Sequence, residues 1–170
     1  RAETQPGIFL TVANPYTCLL VLGFQNDSNT LVAYLPNATA TGDSVNIIGP
    51  QMPSNAWVHV AFTWSTENRA KLYTSSYLQG ASGEASILNN ARGDHNSSPM
   101  TITLGKYNGA ANCEGIQGIS TSQTFMGSLD EMFVFARELQ ESELIKLANQ
   151  PRRIERAVVP RTKNQLTYYS

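Results

Sequence analysis

The sequence predicts an all-β fold: two antiparallel sheets packed as a sandwich, with one short helix near the C-terminal end. Three observations predict it. The stretch Asn55 to Tyr73, NAWVHVAFTWSTENRAKLY, alternates apolar and polar residues as a strand with one face in a core does. Turn signals recur along the chain at roughly ten-residue spacing, as sandwiches and barrels require. Helical periodicity is confined to about Gln140 to Asn149.

The elements follow in order. Gly7–Val12 (GIFLTV) is a short strand, and Cys18–Phe24 (CLLVLGF) a second, apolar on both faces. Leu31–Leu35 is a third and Val45–Ile48 a fourth, closed by Gly49 to Pro53 with its two prolines. In the central hairpin Val58, Val60, Phe62 and Trp64 share one face and Trp57, His59, Ala61 and Thr63 the other. The polar run Ser65-Thr66-Glu67-Asn68 turns the chain, and Ala70, Leu72 and Tyr73 resume the pattern. A short strand is expected at Tyr77-Leu78 and another at Met100–Leu104. Phe125–Ala136 (FMGSLDEMFVFA) is expected as a strand in the middle of a sheet, because Met132, Phe133, Val134 and Phe135 put apolar groups on both faces. In the helix, Leu144 and Leu147 share a face, Glu141 and Glu143 stand in the first turn and Lys146 in the last, which suits the helix dipole. Pro151 ends it.

The chain of 170 residues divides into one domain, residues 1–150, and a tail, 151–170. The tail holds five basic residues and one acid, so the remainder carries about −5 within a whole-chain charge of −1. It reads as a linker, a final strand through Gln165 to Tyr169, or a basic arm. A chain with 15% charged residues and this net charge is not expected to bind nucleic acid. No apolar run approaches the roughly 20 residues of a membrane span. Asn-x-Ser/Thr sequons at Asn26, Asn37 and Asn96 fall in polar stretches, as glycan acceptors must. With the cysteines they point to an extracellular or cell-surface protein. Cys18 and Cys113 are either a disulfide or two free thiols on spacing alone.

The order of signals resembles the laminin G-like jelly-roll family of the concanavalin A-like lectin/glucanase superfamily, related to pentraxins. The residues that carry the resemblance are Trp57-Val58-His59-Val60-Ala61 with Trp64, then Lys71-Leu72-Tyr73 and Ile102-Thr103-Leu104-Gly105. They continue in Gly127-Ser128-Leu129-Asp130-Glu131 with Val134-Phe135, Arg137 and Leu139, and in Glu143-Leu144 on the helix. Three departures stand out. Ser75-Ser76 replaces the usual Asp-Gly turn, Gln140 takes the place of a serine cap, and the family's first strand has no counterpart before Gly7. A missing strand leaves an open sheet edge, so another segment of a larger protein, or another subunit, is expected to complete it. The extracellular character of the fold favours a Cys18–Cys113 bridge that ties down the long loop.

The resemblance implies several chemistries. Glucanases of the superfamily need two carboxyls about 5–10 Å apart on one strand. The adjacent acids here, Asp130 and Glu131, would face opposite sides of a strand, and glycoside hydrolysis is not expected. His59 reads as a packed strand residue, and His95 has no nucleophile placed beside it. Calcium wants six to eight oxygens. Asn26, Asp27 and Asp43 are the candidate ligands, since the loop after Gly105, Lys106-Tyr107-Asn108-Gly109, lacks the acids of a pentraxin-type site. Tyr107, Asn108 and Asn112 are candidate ligand-binding residues. Arg92-Gly93-Asp94 resembles an integrin-binding tripeptide. The expected function is a non-catalytic recognition or adhesion module that contacts glycan or extracellular protein through the loops Gln25–Thr30, Pro36–Asp43 and Lys106–Thr124. A structural component of a fibre, coat or surface complex is the alternative.

Overall fold

The computed structural model describes residues 7–15, 18–25, 28–36, 44–65, 67–75, 77–81, 99–106, 113, 119 and 125–149. Strands β1 (Gly7–Ala13), β2 (Cys18–Phe24), β3 (Thr30–Leu35), β4 (Val45–Gln51) and β8 (Thr101–Leu104) form a five-stranded antiparallel sheet in the order β4-β3-β2-β1-β8. Strands β5 (Val60–Ser65), β6 (Arg69–Thr74) and β7 (Tyr77–Ala81) form a three-stranded sheet in that order. One helix, α1 (Glu141–Ala148), follows. Each expected strand as far as Met100–Leu104 is present within a few residues, and β4 continues through Gly49 and Pro50, which were expected to end it.

The two sheets share one core. Phe9, Leu22, Leu31, Ala33, Leu35 and Ile47 project from the large sheet onto Ala70 and Leu72 of β6, and Val60, Phe62 and Trp64 pack on the same cluster from β5. The alternation of the hairpin thus places its predicted inner face inside. Register follows, with Phe62 opposite Leu72 and Trp64 opposite Ala70. The hairpin turn is closed by the Ser65 hydroxyl, which accepts the Asn68 N–H at 2.9 Å, and Arg69 adopts φ 63°.

The large sheet is also covered on its outer face. Ile8, Cys18, Val21, Val32 and Tyr34 form a second buried cluster with Cys113 and Ile119. The Cys18–Cys113 disulfide, with Cα atoms 5.2 Å apart, brings Cys113 onto this face, and Ile119 makes a bridge to Gln25. This corrects the expectation that all of Lys106–Thr124 is a rim loop: Cys113 and Ile119 are buried core residues. Gly23 explains how Ile119 fits. A Cβ there would lie 2.9 Å from the Gly7 carbonyl oxygen and 3.1 Å from Ile119 Cγ2.

Helix α1 lies on the outer face of the small sheet. Leu139 and Leu144 bury against Tyr73, with Ala61 and Leu147 beside them. Its N-terminus is closed by Glu143, whose carboxylate accepts the Gln140 N–H at 2.9 Å, so the absent serine cap is replaced from the third helical residue.

Phe125–Ala136 departs from expectation. It belongs to no sheet, and Phe125 N–H to the Gly105 carbonyl, at 3.1 Å, is its backbone bond to the rest of the fold among the described residues. Glu131 has φ 50°, and its N–H is taken by Asp130 Oδ1 at 2.9 Å, so the run is interrupted in its middle. The apolar pattern that predicts a central strand instead describes an exposed ribbon.

Candidate interaction surface

The ribbon is fixed at both ends and free between them. At its start Phe125 stacks into an aromatic trio, 5.8 Å from Phe9 and 6.0 Å from Phe24 between ring centroids. Gly127 allows this, because a side chain there would run into the Phe125 ring. At its end Glu138 Oε2 accepts a 2.8 Å hydrogen bond from Asn68 Nδ2 in the β5–β6 turn. Burial opposes ionisation of Glu138, but hydrogen bonds from Asn68 and Ser65 and the charge of Lys71 outweigh it and hold its carboxyl below the usual range. Next to it Arg137 grips Glu143 with two hydrogen bonds, 2.6 and 2.8 Å, so the ribbon's exit is clamped to the helix. That pairing, with the Gln140 N–H, lowers the Glu143 carboxyl to about 2.

Between these anchors Met126, Leu129, Met132, Phe133, Val134 and Phe135 are exposed. Phe133 and Phe135, two residues apart, stand on one side with ring centroids 6.3 Å apart and remain 60% and 44% exposed. Scattered single apolar residues on a surface need no account, but a contiguous run does.

The small sheet has an unpaired edge at β5 among the described residues. β5 pairs with β6 on one edge and, among the described residues, has no strand on the other. Three side-chain polar atoms on this stretch, His59 Nδ1, Thr63 Oγ1 and Trp64 Nε1, are buried without a hydrogen-bond partner among the described residues. Burial also lowers the His59 pKa, which favours the neutral ring. Its carbonyl is used, accepting the Ser75 N–H at 2.8 Å.

Of the residues singled out in the sequence, the structure joins Cys18 and Cys113. Asn26, Asp27, Asp43, Asn37, Asn96, Tyr107, Asn108, Asn112, His95 and Arg92-Gly93-Asp94 lie outside the described residues, as does the tail 151–170. Among the described residues no group of three or more His, Cys, Asp or Glu is placed to hold a metal, and no helix is long and apolar enough to cross a membrane. Asp130 and Glu131 are exposed and joined in a turn. The ribbon itself was missed as a surface. Gly127 and the Asp130-Glu131 pair inside the apolar run are the sequence signals that mark it as broken.

The paired sheets, the pinned outer face and the helix α1 define a concanavalin A-like jelly-roll sandwich. The chain belongs to the laminin G-like family of the concanavalin A-like lectin/glucanases superfamily, whose family model matches residues 3–145. No curated protein matches the chain significantly. Among solved structures it is similar to an S-layer domain-containing protein from Clostridium thermocellum, with 18% identity and a TM-score of 0.44. The match covers 87% of this chain and 65% of that one.

Proposed function

We propose that this domain is a non-catalytic extracellular recognition module that contacts another polypeptide through the exposed ribbon. The observation that carries the reading is the run from Met126 to Phe135, held at both ends and apolar in solvent. Aromatic and methionine side chains are what the centre of a protein contact is made of. The family scaffold and the disulfide support an oxidising, extracellular setting. Against a glucanase, the neighbouring acids are engaged in a turn, where Asp130 accepts the Glu131 N–H rather than facing a second carboxyl across a cleft.

The test is binding of the purified chain to parallel arrays of glycans and of extracellular proteins. Binding to protein that is lost in the F133S/F135S double variant supports the reading. Binding to a glycan class that survives in that variant would overturn it. An assembly role is the second reading, favoured by a β5 edge with no strand beside it among the described residues, since an unpaired edge is a template for another chain.

A further inference from the structure

Among the described residues, most of the exposed large apolar side chains fall into two groups that meet at Gly105. One is the ribbon, Met126 to Phe135. The other is on β8. Ile102 stands opposite Val12 and Leu104 opposite Leu10, and these stand in turn opposite Leu20 and Leu22, which pack in the shared core. Directly paired residues project to the same side of a sheet. Ile102 and Leu104 therefore face the side on which the small sheet lies, yet they are 37% and 44% exposed, and Met100 before them is exposed as well. The Gly105 carbonyl accepts the Phe125 N–H while the Gly105 N–H donates to the Phe9 carbonyl, so the ribbon starts where β8 ends. With both its ends held, the ribbon leaves the β8 residues uncovered. We infer that the two surfaces cover each other between two copies of this chain, the ribbon of each copy lying across β8 of the other in a two-fold dimer. The dimer rests on the ribbon being the contact surface proposed above.

Three observations select a second copy. Area is the first. Three β8 side chains and six on the ribbon are exposed. At about half exposure such side chains leave on the order of 100 Å² each, so together they hold roughly 800 Å² per copy, the share each partner gives to a standard interface. The ribbon alone falls short of that, whereas a two-fold axis buries both groups on each copy at once. Charge is the second. Lys106 at the end of β8 is exposed, and so are Asp130 and Glu131 in the ribbon. Ribbon on β8 brings opposite charges together, while ribbon on ribbon or β8 on β8 sets like against like. Spacing is the third. The Phe133 and Phe135 rings are 6.3 Å apart, close to the roughly 7 Å between alternate side chains on a strand, which is the spacing of Ile102 and Leu104.

Sedimentation of the whole chain tests the dimer. The chain should self-associate with a dissociation constant of about micromolar or tighter. F133S/F135S should weaken the dimer at least about a hundredfold and I102S/L104S at least about tenfold, both keeping the circular dichroism spectrum of the unaltered chain. A mixture of the two variants should associate more tightly than either alone, because one intact ribbon then meets one intact β8 face. In the unaltered chain, peroxide should oxidise Met100 and Met132 more slowly as concentration rises, while Met52, packed against the core, should not change. A monomer at every concentration would overturn the dimer, and if F133S/F135S then abolished capture of a different extracellular protein, the recognition reading would stand without it. A dimer that survives F133S/F135S unchanged would overturn both. A dimer weakened by F133S/F135S with no gain on mixing would set ribbon against ribbon and overturn the exchange.

Discussion

The two sheets are made of similar residues and finished to different degrees. The five-stranded sheet is covered twice, by the small sheet on its inner face and by Cys113 and Ile119 on its outer one. The three-stranded sheet is covered inside by the shared core and outside by α1, yet among the described residues β5 has no strand on its second edge, and the run Met126–Phe135 is exposed. The difference teaches where stability and recognition reside. Structural devices such as the disulfide and the Gly23 fit concentrate on the large sheet, and unsatisfied groups concentrate on the small one.

The largest expected effects test whether the sheets truly share one core. Leu31 on β3 and Leu72 on β6 are fully buried in it from opposite sides. Leu31→Ala and Leu72→Ala should each destabilise by about 2–5 kcal/mol in chemical denaturation. A Leu72→Ala cost below about 1 kcal/mol would show that the small sheet is not docked, and the contrast between the sheets would become one between a domain and an appendage. Next comes the cover of the large sheet. The C18A/C113A pair releases a bridge between residues 95 positions apart and should cost about 2–4 kcal/mol. Its effect should be read as faster amide exchange in β2 before β6, since Cys113 packs with residues of the large sheet.

Gly23→Val probes the same cover from beneath. The new side chain meets the Gly7 carbonyl and Ile119, so a loss of about 1–3 kcal/mol is expected by thermal unfolding. An unchanged melting temperature would mean that Ile119 does not sit over Gly23.

Much of this contrast was legible in the sequence, and its limits have physical causes. Alternation in Val60–Trp64 and the short apolar runs of Cys18–Phe24 and Leu31–Leu35 report local geometry, so these strands were read correctly. The helix was readable because Leu144 and Leu147 recur at its period and Glu143 can close its own start. The disulfide was expected from the fold that the motifs imply, but Ile119 as a lid was not, because one isoleucine in a Gly/Asn/Ser-rich stretch has no period. Phe125–Ala136 failed for the opposite reason. Its composition suits a buried strand, and composition cannot say whether a neighbouring strand is there to pair with it. The left-handed turn at Glu131 is a local event that the apolar count of the whole run conceals.

A smaller effect is expected where the ribbon meets the helix. The Glu143 carboxyl lies at about 2, below its ordinary value of 4.5, through Arg137 and the Gln140 N–H. A carboxyl depressed in the folded state contributes stability that is fully present above its ordinary value and is lost as pH falls through about 2. Amide exchange at the start of α1 should therefore speed up between those limits while the large sheet stays protected, and Glu143→Gln should remove the pH dependence.

The smallest effect on stability should come from the residues most exposed to a partner. F133S/F135S removes two large apolar side chains, yet both are substantially in solvent and neither is a member of the three buried clusters. Stability should change by no more than about 0.5 kcal/mol, in contrast to the cost at Leu72, while binding to the protein partner falls. A loss of stability comparable to that of Leu72→Ala would place the ribbon in the core in solution. The small sheet would then be as finished as the large one, and the exposed phenyl pair would cease to be a recognition surface.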